Sequence, residues 1–409
     1  MKICHICSGY SVSFQGGITN YVRALAQSQQ AAGNDVCVVT NDPGETYPFS
    51  VKIYASKKIR PFQFAPLVDK KAKEELKAFF EQEKFDLIHI HMMLDIDWDL
   101  YEVIKPYRYV VSLHDYYFLC PRVVMMQPNN TLCRQYDGEQ CRHCVSLLDT
   151  VPLCHSVFWR LKRYFGMATP SVPQKTTAKR FEKFKAMLEN ADLLLPVSTR
   201  VQEIYENSGI HGNYRVLHIG NITADLFREE FAENRDKEFI DVVMLGTLTY
   251  IKGADLFVRL AKALDKNKFR VHFYGRSATY ADKIREAGII DHGPYNQAEL
   301  PELLKNSDLG LVLSVWEDNG PQVVMEFLNS HVPVVGTRMG GIPDFVNEKN
   351  GFLLDPYSSE DFDRLVERLN ALSREDIITL KRQIRPTKTP QEHARQIDEA
   401  YHAVLAKGN

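Results

Sequence analysis

The residues DNGPQVVME, Asp318 to Glu326, combine features that suit two parts of one ligand. Asp318, Asn319 and Gly320 offer helix-cap chemistry, Pro321 fits a first helical position, and Val323, Val324, Phe327 and Leu328 recur at helical spacing. At about 1.5 Å rise per residue, Glu326 falls roughly 7 to 8 Å along such a helix from Pro321, while amides between Gly320 and Val323 stay unbonded at its start. A helix start of this kind holds a diphosphate, and a carboxylate a turn and a half further in accepts both hydroxyls of a ribose. A second set of reactive groups is Cys120, Cys133, Cys141 and Cys144, spaced Cys-x12-Cys-x7-Cys-x2-Cys. Four thiolates with one Cys-x2-Cys pair can hold a tetrahedral structural zinc, with Cys154, His143 and His155 as substitutes; the alternative is four reduced thiols.

The elements that must position these groups alternate strand and helix. Leu309 to Val315 is a nearly unbroken apolar run that suits a parallel strand buried on both faces, and Val332 to Gly336 completes a strand–helix–strand unit around Glu326. At the other end, Lys2 to Cys7 reads as a strand, Gly9 to Gly17 as its loop, Ile18 to Ala32 as a helix closed by Gly33, and Val36 to Thr40 as the next strand. A doubly wound sheet places that loop at its carboxyl edge, where Gly16 and Gly17 let backbone approach a ligand closely. There is no Gly-x-Gly-x-x-Gly, which disfavours a dinucleotide enzyme. Phe85 to His91 and Tyr109 to Leu113 are further buried strands. His89 and His91 read as structural, whereas His114, just past a strand end and followed by Asp115, reads as a site residue. Ala191 to Val197 is the last strand of the first half, Val242 to Leu245 opens the second, and a final helix from about Gln391 to Ala406 carries Ala394, Ile397, Tyr401, Val404 and Leu405 on one face.

The stretch around Glu326 resembles the signature of retaining glycosyltransferases of family 4, in which a Glu-x7-Glu pair flanks the donor helix ahead of a strand and a Gly-Gly-x-Pro-Glu turn. Glu326 takes the second glutamate position, and Gly340, Gly341, Pro343 and Asp344 match the turn. The first acidic position has the right spacing at Asp318, with Glu317 one place earlier. Gly246 to Gly253 is similar to the family's Gly-Arg-Leu-x4-Lys-Gly region with the loop one residue shorter, Lys252 in the lysine place and Thr247 where the arginine stands. His114-Asp115 resembles the pair whose histidine lies beside the donor sugar, and HDYYFLCPR followed by cysteines resembles a bacterial subset. His218-Ile219-Gly220 departs from the usual Pro-Asn-Gly.

The resemblance implies an α/β chain of the GT-B fold, two Rossmann-like domains facing across a cleft. The acceptor domain would span 1–200 with a cysteine-rich insertion at about 120–155, the nucleotide-sugar domain 215–388, and a helix at 389–409 would cross back to the first domain. It implies retaining transfer from a nucleotide-diphospho-sugar, UDP by family frequency, to a hydroxyl of a glycan or lipid-linked saccharide in cell-surface polysaccharide synthesis. His114, Lys252 and Asp318 would be catalytic. Gly17, Asn319, Gly320, Pro321, Gln322, Glu326 and Arg276 would bind the donor, and Gly16 and Asp115 would lie on the acceptor side. A departing nucleoside diphosphate gains negative charge, so Lys252 and the helix start would carry it, with Arg276 supplementing them. No side chain clearly occupies a nucleophile position, which favours front-side displacement. No Asp-x-Asp cage lies near the donor segment, so no catalytic metal is expected. The rivals are a GT-B-fold sugar-nucleotide epimerase and a donor-binding partner subunit with decayed catalysis, to which Thr247 and Asp318 point.

Length and composition agree with two ordinary globular domains: 409 residues, 44% hydrophobic and 25% charged. A net charge of −2 argues against a nucleic-acid binder, but residues 1–195 hold 24 Lys/Arg against 20 Asp/Glu, and the remainder 26 against 32. The N-terminal half is therefore expected to meet something anionic. The basic, aromatic stretch from Phe158 to Lys185 suits an anionic membrane surface, or alternatively a solvated helix on the first domain's core. MKICHICSGY is too short in apolar residues for a signal peptide, and no membrane-length apolar run occurs. The expectation is a cytoplasmic protein, attached peripherally to the inner face of the membrane if the basic stretch binds lipid.

Overall fold

Short apolar runs bounded by turn residues become strands in this chain, and most are followed by a helix whose apolar stripe covers the sheet. The computed structural model describes residues 1–10, 16–41, 50–53, 70–94, 96, 98–134, 138, 140–145, 161, 164, 166–167, 174–277 and 279–407. They form two units, Met1–Leu217 with His393–Asn409, and His218–Glu392.

The first unit runs β1 (Lys2–Cys7), α1 (Gly17–Ala31), β2 (Asp35–Thr40), β3 (Ser50–Ile53), α2 (Lys70–Glu83), β4 (Leu87–Met92), α3 (Tyr101–Ile104), β5 (Tyr109–Leu113), α4 (Gln174–Glu189), β6 (Leu193–Pro196) and α5 (Thr199–Asn207). Its parallel sheet has the order β3-β2-β1-β4-β5-β6. The second unit runs β7 (Ile240–Thr247), α6 (Ala254–Ala263), β8 (Phe269–Arg276), α7 (Ala281–Glu286), β9 (Ile290–Asp291), α8 (Leu300–Lys305), β10 (Leu309–Val312), α9 (Gln322–Asn329), β11 (Val334–Thr337), β12 (Gly351–Leu354), α10 (Ser359–Ala371) and α11 (Arg374–Gln383). Its parallel sheet has the order β12-β11-β10-β7-β8-β9. In both sheets the first strand is flanked by the second and the fourth. The strand order therefore reverses between β1 and β4, and between β7 and β10, and the carboxyl ends at these switch points are where such sheets bind ligands.

The last helix, α12 (Pro390–Ala406), packs Ala394, Ile397, Ala400, Tyr401 and Val404 against Ile3, Leu87 and Val110 of the first sheet. The aromatic half of the basic stretch that lies in α4 is core: Phe181, Phe184, Met187, Leu188 and even Arg180 are buried. Arg180 donates to the carbonyls of Tyr117 and Phe118, so the buried face of α4 holds the first unit together. Arg160, Lys162 and Arg163 lie outside the described residues.

Three boundaries around Glu326 differ from those the pattern predicts. β10 stops at Val312, because the chain then leaves the sheet and Val315 donates its N–H to the Ile251 carbonyl at 2.9 Å. α9 begins at Gln322, and Pro321 is its cap, since ψ of 88° at Pro321 is not helical. β11 covers Val334–Thr337 in place of Val332 to Gly336.

Candidate functional site

At the β7/β10 switch point the two carboxyl ends and the start of α9 enclose a cavity of about 490 Å³. Gly246, Thr249, Lys252, Ser314, Asp318 and Gln322 are among its lining residues. The lysine arrives there because Gly253 turns the loop with φ of +79°, where a Cβ would lie 1.8 Å from the Leu313 carbonyl oxygen. No other residue can bring the loop so close to the end of β10. Lys252 Nζ donates to Asp318 Oδ2 at 2.6 Å and lies 5.4 Å from the centre of the Trp316 ring. Asp318 also accepts from Ser314 Oγ at 2.8 Å, and its backbone carbonyl accepts from Gly341 N at 2.7 Å.

The second acid of the segment does something else. Glu317 Oε2 accepts from Gly340 N at 3.0 Å, tying the Gly340-Gly341 turn to the end of β10. The turn needs glycine: Gly340 has φ of +54° and its missing Cβ would sit 2.0 Å from the Asp318 carbonyl oxygen. Asp318 thus faces the lysine and Glu317 the turn, a division that spacing alone leaves open.

Glu326 lies one turn into α9, 9% exposed, and burial pushes its carboxyl up to about 7. Its carboxylate has no hydrogen-bond partner among the described residues. A buried acid without a partner is costly to the fold, and such groups mark sites that a ligand completes. Glu326 does not line the Lys252 cavity, nor does Arg276, which is exposed at the end of β8. Asn319 is buried with Nδ2 unpartnered, and Gln322 is held through its Oε1 by Asn221 Nδ2 at 2.5 Å.

In the first unit Gly16 caps α1 with φ of −90°, so neither it nor Gly17 is there for a left-handed turn, and the place of a Gly17 side chain is open. His114 follows β5 and is 9% exposed; burial pulls its imidazole down to about 3. Its Nε2 lies 3.2 Å from His91 Nδ1, and its Nδ1 has no partner among the described residues. Asp115 accepts from Tyr117 N at 2.8 Å, and burial pushes its carboxyl up to about 6. Asp115 therefore shapes the loop after β5. His89 and His91 are buried as the strand pattern suggests; His91 is hydrogen-bonded to His5 and to His114, and the His89 ring packs against those of His5 and His91. The sign of it in the sequence is the i, i+2 spacing of His89 and His91, which puts both on one face of β4.

Cys120, Cys133, Cys141 and Cys144 line one cavity of about 360 Å³ together with Met125 and Met126. Burial raises the Cys120 and Cys144 thiols and pushes that of Cys141 up to about 12. The four sulfurs surround the cavity without closing on a point: among the described residues, ligand atoms within 4.8 Å of one another occur as a group at His5, His89 and His91. Cys154 and His155 lie outside the described residues.

The profile of glycosyltransferase family 4 matches residues 15–221. The chain belongs to glycosyltransferase family 4. A second profile, glycosyl transferases group 1, matches residues 226–384. Among curated proteins it is 26% identical over 242 residues to an uncharacterised 41.2 kDa protein in the cps region of Klebsiella pneumoniae, covering 58% of this chain. The chain spans 62% of that relative's length. The solved HepE of Anabaena in complex with UDP is similar with a TM-score of 0.66 at 14% identity, covering 98% of this chain and 100% of that one. The lipopolysaccharide outer core galactosyltransferase WaaB is similar with a TM-score of 0.61 at 12% identity, covering 98% and 99%. These likenesses establish the GT-B fold for both parallel-sheet units of this family member.

Proposed function

We propose that this family 4 chain is a retaining glycosyltransferase that moves a sugar from a UDP-sugar to a hydroxyl of a glycan or lipid-linked saccharide in surface polysaccharide synthesis. The observation that carries this reading is the arrangement on α9: its start lines a cavity with Lys252, and one turn further in stands the unpartnered buried carboxylate of Glu326. A diphosphate at the helix start would take Lys252 from Asp318, and the two ribose hydroxyls would satisfy Glu326. The similarity to a structure holding UDP and to a protein of a cps region supports the donor and the setting. Asn319, Gly320, Pro321 and Gln322 would contact the diphosphate, with Arg276 reaching it only if the β8 loop moves. Gly16, Gly17, His114 and Asp115 would serve the sugar and its acceptor. Lys252 and the α9 amides would stabilise the departing diphosphate, with front-side attack by the acceptor hydroxyl and no divalent metal.

The experiment is incubation of purified protein with a panel of UDP-sugars, with and without oligosaccharide or lipid-linked acceptors, following released UDP and the anomeric configuration of the product. Acceptor-dependent release with retained configuration is expected. Interconversion of sugars without acceptor would replace the reading by an epimerase, and no release with any donor would make the chain a binding subunit.

A further inference from the structure

The buried groups behind His114 form an unbroken hydrogen-bonded series. Asp398 Oδ1 accepts from Gln29 Nε2 at 2.7 Å, Gln29 Oε1 meets His5 Nε2 at 2.8 Å, His5 Nδ1 meets His91 Nε2 at 2.9 Å, and His91 Nδ1 meets His114 Nε2 at 3.2 Å. Asp398 stands on α12, Gln29 on α1, His5 on β1 and His91 on β4, so the series crosses the first unit to the carboxyl end of β5. His5, Gln29 and His91 are at most 1% exposed, so their bonds are made inside the first unit. All six ring nitrogens of His5, His89 and His91 already have partners, His89 bonding Tyr401 Oη and Ser112 Oγ. That makes the cluster a bonded network, with no lone pair spare for a metal.

The direction of every bond follows from its end. Burial lowers His5 to about 4, His114 to about 3 and His91 well below its ordinary value, so each imidazole is neutral, with one N–H and one bare nitrogen. An ionised carboxylate only accepts, so Gln29 must turn its amide N–H₂ to Asp398 and its oxygen to His5. His5 must then carry its proton on Nε2 and accept on Nδ1. His91 must donate from Nε2 to that acceptor, leaving its Nδ1 to accept from His114. His114 is left with its proton on Nε2 and a bare lone pair on Nδ1.

We propose that the carboxylate of Asp398 sets the tautomer of His114 through Gln29, His5 and His91, so that His114 presents an unprotonated Nδ1 that accepts a hydrogen bond from a substrate hydroxyl. The part concerning a substrate rests on the reading of His114 as a site residue; the part concerning the tautomer does not. Asp398, Gln29, His5 and His91 act as positioning residues. They make this position favour a ligand that donates, such as a sugar hydroxyl, over one that offers only an acceptor.

The test uses the full chain labelled with ¹⁵N-histidine, with long-range ¹H–¹⁵N correlation spectra assigned by single histidine substitutions. In the native protein His5, His91 and His114 are expected as neutral Nε2–H tautomers. Native His114 found with its proton on Nδ1 overturns the proposal, whether or not any variant folds. In Asp398→Asn the new amide can donate to Gln29, which is then free to turn, and the His114 signals are expected to shift toward the Nδ1–H form. Gln29→Glu, which still accepts from His5, is expected to keep the native tautomer. Unchanged His114 signals in Asp398→Asn refute the role of the carboxylate. Turnover of Asp398→Asn should fall roughly tenfold, the effect of losing one hydrogen bond to substrate, with UDP affinity unchanged. A tautomer that shifts while turnover holds would leave the relay standing and remove His114 from the site.

Discussion

Lys252 Nζ and Asp318 Oδ2 are 2.6 Å apart in the α9 cavity, so the cation best placed for a diphosphate is already engaged by an acid eight residues before Glu326. The lysine side chain is 43% exposed, which makes the pair weak enough for a more highly charged ligand to break. Lys252→Ala is expected to lower kcat by about a hundredfold with little change in donor KM, because the leaving diphosphate is more charged in the transition state than in the bound donor. Steady-state kinetics with UDP-sugar decide it; a rise in KM alone would make Lys252 a ground-state anchor. Asp318→Asn should tighten UDP binding a few-fold in calorimetry by releasing the lysine.

Glu326→Gln should have opposite effects on binding and on stability. Donor affinity is expected to fall at least about tenfold, since charge-assisted bonds to ribose hydroxyls are lost. The unliganded variant is expected to be more stable than the parent at pH 8. The sign follows from burial: the folded carboxyl titrates at about 7 against an ordinary 4.5, so the parent loses stability as pH rises from the unfolded value through the folded one. The difference between the two proteins should be close to nil below pH 4.5 and reach roughly 3 kcal/mol at pH 8. Denaturant melts at the two pH values check it, and a variant no more stable at pH 8 would mean the carboxylate has a partner.

The cysteine cavity leads to a metal measurement. Zinc at close to one equivalent per chain is expected in freshly prepared reduced protein, with the four sulfurs drawing in from their present spread around the cavity. Cys141→Ser should lose the metal and lower Tm without changing UDP affinity. Absence of zinc, with all four thiols open to alkylation, would return them to ordinary reduced cysteines.

Attachment to a membrane is the proposal that the basic stretch before α4 puts to the test. With Phe181 and Phe184 in the core, the exposed apolar groups nearby among the described residues are Leu161, Tyr164 and Met167, which are 55%, 86% and 52% exposed. No helix among the described residues is long and apolar enough to cross a membrane. Salt-sensitive co-sedimentation with anionic vesicles is expected for the parent and should be lost on changing Arg160, Lys162 and Arg163 to glutamine, each basic group contributing about 1 kcal/mol. A parent that stays in the supernatant at low salt would point to a soluble acceptor.

The sequence by itself determined the strand–helix alternation, the α9 segment and the identity of Glu326, Lys252 and His114 as the groups to watch, because apolar periodicity and turn residues act over a few neighbours and the family signature is contiguous. It could not divide labour between Glu317 and Asp318: which acid meets Lys252 depends on how Gly253 and Gly340 press two loops against the end of β10. Nor could it show that the aromatics of α4 are core, since the same alternation of basic and aromatic residues serves a lipid surface and a buried face. Least legible was the series from Asp398 to His114. Its members are scattered from residue 5 to residue 398, and their protons are ordered only when parallel strands and the last helix bring them within hydrogen-bond distance in the interior of the first unit. Local patterns carry no record of such contacts, because a hydrogen bond between residues hundreds of positions apart exists only in the folded sheet.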